Sequence, residues 1–515
     1  MTRTALELSA GLAPVREARP IRPGERIHIL GIAGAGASAA AIHAAAQRAI
    51  VTGCDPGGPS PYTLALEARR IPIAPSHNPS HVTDGPHLDR LAVTKALTAV
   101  APDHPELRAA ANRGIPAEPW QQLIADAAVG RRLIAVAGTH GKSTTAGWLT
   151  WVLTEAGLDP SAFVGALLPA ALTGGVPATA RVGDGDAFVV EADEYAGNFD
   201  AYRPDIVVLT TIEWDHPDVF ASRASVLDAF ERWLDRVPDA TLIANLEDPG
   251  VVELLGRVAA SPARTGAIVG VSLTGQAAGG AAASGPTELW IDRSVAGRIV
   301  DRTPDGFVLD IDGLAASTRR VHLPAVGDHN ASNALLALVA AAEVDPGPPD
   351  GVDRLIWGLT SFPGIGRRLE RKGEARGVVV YDDYGHHPTA IRATLAALRQ
   401  REPERRVWAV YEPLTFHRTA AMLPEFADAL AEADAVAVAN IWASRDLDTT
   451  ATSPELLAAA VRARRPGMTA MAAGSVEETA AWLARNVAEG DAVLVMGGGH
   501  SYKIADLLLE ALRST

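Results

Sequence analysis

Residues 133–144 read LIAVAGTHGKST. An apolar run, Leu133 to Val136, breaks into Gly138 and Gly141 and then delivers Lys142-Ser143 to the mouth of a helix. That pattern reads as a phosphate cradle, the alternative being a glycine turn with a surface lysine. Backbone N–H groups of a glycine turn and the positive end of a helix dipole converge on polyphosphate oxygens; a lysine reaches the β and γ oxygens, and a hydroxyl ligates Mg²⁺. The helix is expected independently, because Leu149, Val152, Leu153 and Ala156 recur at helical spacing and Gly157 supplies the stop. The loop is the shorter G-x-x-G-K-S form, since Val136 stands where the strict form has a glycine.

Working outward, the 515 residues predict about three domains, because single cores rarely grow beyond roughly 250–300 residues. A hydrophobic content of 48% with 21% charged residues is that of a globular protein. The formal charge of −15 argues against nucleic acid or an anionic membrane as the main partner, so anionic ligands need local devices. Cys54 is the only cysteine, which excludes intramolecular disulfides and fits a reducing compartment. Residues 1–25 lack the apolar core of a signal peptide, and no apolar run approaches ~18 residues. A cytoplasmic protein is expected, as a monomer or homodimer.

The expected fold class is α/β in three domains: 1–128 Rossmann-like, 129–360 a central P-loop-type domain, and 361–515 Rossmann-like again. The first opens with a strand, Ile27 to Leu30, running into GIAGAG (Gly31, Gly34, Gly36) and an alanine-rich helix to about Arg48. A second strand ends at Asp55, where such folds meet a ribose hydroxyl. This loop is expected to hold a diphosphate, the alternative being a structural tight turn. In the middle, Ala187–Val190, Ile206–Leu209 and Thr241–Ala244 are short buried runs, implying a mostly parallel sheet covered on both faces. Residues 275–286 read as an exposed insertion, GRIVDRTPDGFVLDIDG as a hairpin, and 346–351 as a linker component. The last segment alternates strand and helix through VVVYDDY, VWAVYEP, AVAVANIW and AVLVMGGG.

Glu191 closes the strand of AFVVEADEY, and His216 follows the next strand in TTIEWDHPD. Carboxyl ends of strands line the ligand crevice of open α/β sheets, so both should converge on the phosphate loop and, with Ser143, hold Mg²⁺ (or Mn²⁺). The alternative is a solvated acidic turn at 191–194 and a helix-capping His216. The only lysines are Lys95, Lys142, Lys372 and Lys503, so a modified lysine as metal ligand is closed to the middle domain. GDHNASNA (327–334) introduces a helix, where Asp328 or Asn330 is either a cap or, for Asn330, a nucleoside contact. Asp382, Asp383, His386 and His387 cluster in YDDYGHHPT, with zinc as a rival reading there, and Arg418 lies in YEPLTFHRT.

Together GTHGKST, EADEY, IEWDH, GDHN, RRLE and DDYGHHPT resemble, in order, the motifs of the Mur ligase family, the ATP-dependent amide-forming enzymes of peptidoglycan precursor synthesis. The resemblance runs from Ile27 to about Leu509. It implies joining of L-alanine to the lactyl carboxylate of UDP-N-acetylmuramate through an acyl phosphate; the alternatives are attachment of L-Ala-γ-D-Glu-meso-diaminopimelate to the same sugar, and a nucleotide-binding paralogue that makes no bond. It implies ATP on Gly138, Thr139, His140, Gly141, Lys142, Ser143 and Thr144, with His329 and Asn330 at the nucleoside. The UDP-sugar falls to Gly31, Gly34, Gly36 and Asp55. Ser143 and Glu191 would hold one Mg²⁺, Glu191 and His216 a second; Lys142, Glu191, His216, His387 and Arg418 would be catalytic, with His386 near the acceptor. After the proline of VYEP the chain reads Leu414-Thr415, where alanine-adding members carry His-Arg.

Overall fold

Three sheets follow one another along the chain in the computed structural model, which describes residues 3–259, 261–273, 291–345, 351–444, 446 and 448–514. The insertion at 275–286, Arg445 and residues 346–350 of the linker lie outside the described residues. The first sheet is all parallel, in the order Ile73–Ala74, Ile50–Cys54, Arg26–Leu30, Arg90–Val93 and Ala117–Pro119. The expected helix after GIAGAG spans Ala35–Ala46.

The central sheet has ten strands. Its middle runs Ile268–Ser272, Thr241–Asn245, Ile206–Leu209, Arg132–Ala137, Ala187–Ala192 and Ser161–Leu168, all parallel. The Pro-Asp-Gly hairpin forms between Arg293–Thr303 and Gly306–Asp312, and antiparallel pairs are confined to this edge and to Ala178–Arg181 at the other. Helix Lys142–Glu155 packs against helices Asp328–Val344 and Gly351–Thr360 on one face.

The last sheet orders Glu370–Ala375, Val378–Asp383, Asp491–Gly497, Arg406–Glu412, Ala435–Ala439 and Thr469–Gly474, only the first being antiparallel. The four inner strands are those legible as apolar runs. Both edges escaped that reading because half-exposed edge strands carry polar residues, as in ERKGEA, and bury too little to show a continuous apolar signal.

Helix Ala35–Ala46 explains how the first two domains meet. It is apolar on every side, and Ala37 to Ala44 are all buried, because it is sandwiched between its own sheet and strands Ser161–Leu168 and Ala178–Arg181. Alanines allow that close approach. Ser38 Oγ lies 3.1 Å from Thr179 Oγ1, and His43 donates from Nε2 to the Ala162 carbonyl at 3.0 Å. Burial depresses the His43 pKa to about 4. A depressed folded-state pKa contributes stability above pH ~6.5 that is lost as pH falls toward 4. His43→Gln keeps an N–H donor without the titration, so this variant should lose less stability on acidification over that window, by up to about 3 kcal/mol. Urea unfolding at pH 7 and pH 4.5 checks this; identical acid limbs in the two proteins would refute it.

Candidate active site

The phosphate loop sits at the carboxyl end of Arg132–Ala137, between Ala187–Ala192 and Ile206–Leu209, so both neighbouring strand ends open onto it. The loop is laced to the residues after Leu209. Thr139 N–H donates to the Thr211 carbonyl at 2.7 Å, His140 N–H to Thr211 Oγ1 at 2.9 Å, and Thr210 Oγ1 to the His140 carbonyl at 2.6 Å. Gly141 ends the loop at φ +83°, and a Cβ there would stand 2.5 Å from Asn333 Oδ1, so conformation and space both demand glycine. The first-turn N–H groups of helix Lys142–Glu155 have no carbonyl within the helix to bond and face the crevice.

Charge is arranged around that helix mouth. Ser143 Oγ donates to Glu191 Oε1 at 3.0 Å and accepts from Arg368 Nη2 at 2.9 Å; Glu191 Oε2 accepts from Gly165 N–H at 2.6 Å. Lys142 Nζ donates to the Gly138 carbonyl and to Glu194 Oε2 at 3.2 Å. Burial works against the ammonium, but Glu194, Asp193 and Glu191 hold its pKa up to about 12. Glu194 is 1% exposed, and burial pushes its pKa up to about 7 even with Lys142 beside it. The acidic stretch 191–194 is therefore not a solvated turn.

His216 is not a helix cap either: the following helix, Arg223–Leu234, is capped by Ser222. Its Nε2 stands 3.9 Å from Glu194 Oε1, and Nδ1 is 3.1 Å from Arg418 Nη2. An arginine can only donate, so Nδ1 accepts and Nε2 carries the proton. Arg418 also bonds Asp215 Oδ1 at 2.7 Å. Burial would raise the Asp215 pKa, but Arg418 holds that carboxyl well below the usual carboxylate range.

Two cavities meet this centre. One of about 300 Å³ is lined from all three domains, by Gly36 and Trp120, by Lys142, Glu191 and His216, and by His386. The other, of about 740 Å³, runs between the second and third domains past Thr144, Asn330 and Arg368, with Trp148 and Phe362 stacked at 4.7 Å on its apolar side. Arg418 lines neither; at 1% exposure it lies behind His216 rather than in the open crevice.

Several expectations are revised by these contacts. Neither Asp328 nor Asn330 caps helix Asp328–Val344: Gly327 is the N-cap, without a side-chain bond, and Asn330 Nδ2 donates to the Val326 carbonyl at 2.9 Å. His329 lies exposed on the first turn of that helix. His387 caps helix Pro388–Arg401, its Nδ1 accepting from Thr389 N–H and its Nε2 donating to the Trp214 carbonyl, both at 3.3 Å. Burial depresses its pKa to about 4, so it is neutral. The zinc reading of 382–387 fails, because Asp382 turns to Arg367 Nε at 3.1 Å and Asp383 accepts backbone N–H groups of Leu369 and Gly385, both at 2.7 Å.

In the first loop, Gly31 takes φ +75° and Gly34 is the N-cap of the helix that follows. Gly36 is required by packing, since a Cβ there would meet the Trp120 ring at 2.1 Å. Asp55 holds the loop from below, accepting N–H groups of Ala33 at 3.1 Å and Gly57 at 2.9 Å. Arg368, Glu194, Asp215 and Trp120 were not among the expected site residues. The RRLE string held the signal for Arg368, whereas nothing local marks Trp120.

Glu191, Asp193 and Glu194 with the Ser143 hydroxyl make an oxygen-rich donor set, which is what Mg²⁺ takes, whereas His216, with Nδ1 held by Arg418 and Nε2 protonated, offers no lone pair to a metal and is corrected from a ligand to a neighbour of the site. Among the described residues no helix is long and apolar enough to cross a membrane.

Comparison with known proteins gives a consistent result. The chain matches the model of the Mur ligase family, catalytic domain, over residues 26–132, the Mur ligase middle domain over 136–341, and the Mur ligase, glutamate ligase domain, over 367–499. It is 36% identical over 501 residues to a UDP-N-acetylmuramate–L-alanine ligase of Roseiflexus sp. (strain RS-1), covering 94% of this chain and 99% of that protein. Among solved structures, a UDP-N-acetylmuramate–alanine ligase from Thermotoga maritima superposes with a TM-score of 0.73 at 21% identity, covering 95% of this chain and 99% of that one. A murein peptide ligase from Psychrobacter arcticus 273-4 does so with 0.69 at 24% identity, covering 96% and 99%. At those identities the two structures speak for the fold.

Proposed function

This chain belongs to the Mur ligase family, and from that premise we propose that it is an ATP-dependent ligase joining L-alanine to the lactyl carboxylate of UDP-N-acetylmuramate, with release of ADP and phosphate in the cytoplasm. The observation that carries the reading is 36% identity to a ligase of that specificity along nearly the whole of both chains. The three-domain crevice supports it. The first glycine loop reaches the smaller cavity at Gly36, the phosphate loop forms its floor, and the third domain closes it with His386.

In this reading Lys142 and the N-terminal turn of its helix hold the β and γ phosphates in line with the lactyl oxygen, and charge neutralisation with positioning supplies most of the catalysis. Mg²⁺ on Ser143, Glu191 and, nearby, Glu194 would supply further neutralisation of the phosphate oxygens, with the protonated Nε2 of His216 beside Glu194. The alanine nitrogen then attacks the activated acyl carbon, the amide bond forms, and phosphate leaves. Asn330 and the Trp148–Phe362 wall of the larger cavity suit the nucleoside of ATP. No lysine besides Lys142 lies in the middle domain, so a modified lysine plays no part.

L-Alanine fits better than a tripeptide because the smaller cavity offers few cations. Lys142 and Arg368 are the only lysine or arginine among its described lining residues, and both already serve the phosphate loop. A tripeptide with several carboxylates needs more. Phosphate release with UDP-N-acetylmuramate, ATP and Mg²⁺, supplying each acceptor in turn, tests this. L-Alanine should be fastest, with glycine and serine slower by roughly 10–200-fold, since one methyl-sized group is worth only ~1–3 kcal/mol. Faster turnover with L-Ala-γ-D-Glu-meso-diaminopimelate would transfer the assignment to that acceptor, and no phosphate release with any acceptor would refute ligation.

A further inference from the structure

Away from the crevice, the first domain gathers a second set of metal-type ligands that the proposed reaction does not use. His28 lies in strand Arg26–Leu30 and Cys54 ends its parallel neighbour Ile50–Cys54, with His28 in register with Thr52. His81 sits on helix Ser80–Thr83 and Glu106 in the first turn of Pro105–Asn112. Cys54 and Glu106 are fully buried and His28 is 2% exposed.

One ligand atom from each of the four lies within 4.8 Å of all the others. His28 Nε2 is 3.4 Å from Cys54 Sγ and 3.5 Å from Glu106 Oε2; His81 Nδ1 is 3.5 Å from Glu106 Oε2, and Cys54 Sγ is 3.5 Å from Glu106 Oε1. Tetrahedral zinc with bonds of about 2.0–2.3 Å requires ligand-to-ligand edges of roughly 3.3–3.8 Å. Those spacings match.

Two of these atoms, Glu106 Oε2 and His81 Nδ1, are buried without any hydrogen-bond partner, although each is aimed at the cluster. Glu106 is also a buried carboxylate whose ion-pair partners among the described residues are imidazoles alone, His28, His77 and His81. Buried charge without a cation is costly. The outer contacts are those that orient metal ligands: Thr52 Oγ1 at 2.8 Å from His28 Nδ1 frees Nε2, Asn78 N–H donates to Glu106 Oε1 at 2.9 Å, and His77 Nδ1 is 3.1 Å from the sulfur.

We propose that His28 Nε2, Cys54 Sγ, His81 Nδ1 and the Glu106 carboxylate form a structural Zn²⁺ site, with His77 donating an N–H to the sulfur. Four protein ligands close the coordination sphere, and the mixed N, S and O set favours zinc over Mg²⁺. On binding, the Cys54 S–H bond breaks, its proton passes to solvent and a Zn–S bond forms without redox change; thiolate and carboxylate together balance the dication. Asp55 follows Cys54 directly and holds the Ala33 N–H, so the metal would pin the strand end that supports the first glycine loop.

Full-length protein is stripped with chelator, loaded with Zn²⁺ or Co²⁺, and dialysed against excess Mg²⁺ to clear the phosphate-loop site. About one zinc per chain should remain, and the cobalt form should show a thiolate-to-metal charge-transfer band, assignable to Cys54 as the only cysteine. Cys54→Ser should lose that band, His81→Ala should hold zinc at least about tenfold more weakly, and Glu191→Gln should change neither. Wild-type protein that retains no zinc and shows no charge-transfer band while folded by circular dichroism would overturn the site. So would equal zinc retention by wild type and His81→Ala, a measurement that stands even if Cys54→Ser does not fold.

Discussion

Lys142→Ala is expected to lower UDP-N-acetylmuramate-dependent phosphate release by roughly 10³-fold or more, about 4 kcal/mol of transition-state stabilisation, with UDP-sugar affinity changed less than tenfold. The ammonium stands at the helix mouth among Glu191, Asp193 and Glu194, and in the proposed reaction its removal takes away the side-chain cation that the loop itself offers to the γ-phosphoryl group. UDP-sugar affinity should survive because Gly31, Gly34 and Asp55 follow strands of a different sheet, and only the Ala35–Gly36 end of the first loop shares a cavity with Lys142. Calorimetric titration of the variant with UDP-N-acetylmuramate, beside a phosphate-release assay, checks both halves. A loss of affinity beyond tenfold, about 1.4 kcal/mol, would mean that the two phosphate loops are not separate sites.

Arg418→Ala should be nearly as damaging for a different reason. The guanidinium is buried between Asp215 and His216, and removing it leaves a buried carboxylate uncompensated, a loss of about 3–5 kcal/mol in stability. It also releases His216 from the donor that sets its tautomer, so kcat is expected to fall by about 10²–10³ with little change in KM for the UDP-sugar. Both bonds come from Nη2, one bond farther along the side chain than a lysine Nζ, so Arg418→Lys falls short of both partners and should recover only part of either loss. Thermal unfolding and steady-state phosphate release on both variants test this. Full activity in Arg418→Ala would show that His216 is positioned by something else.

The fold was legible where local pattern and burial agree. The strand running into Gly138 and Gly141 and the inner strands of the last sheet are buried on both faces and so read as continuous apolar runs, while the helix from Lys142 shows in the helical spacing of Leu149, Val152 and Leu153. Glu191 and His216 were legible as strand-end residues, because a parallel sheet puts its carboxyl ends on one side. The edge strands Glu370–Ala375 and Thr469–Gly474 carried no such signal, since half of each faces outward.

What the sequence determined by itself is thus the α/β class, the phosphate loop and the family, all of which rest on residues close together in the chain. What only the tertiary structure decided is the use to which individual polar groups are put: Glu194 is buried against Lys142, Arg418 stands behind His216, and His387 is a helix cap. The pairing of Arg368 with Ser143 spans 225 positions, and the gathering of His28, Cys54, His81 and Glu106 joins two strands to two helices. Such contacts depend on strand order and helix docking. Spacing along the chain carries no record of either, because a loop of any length costs little more to close than a shorter one.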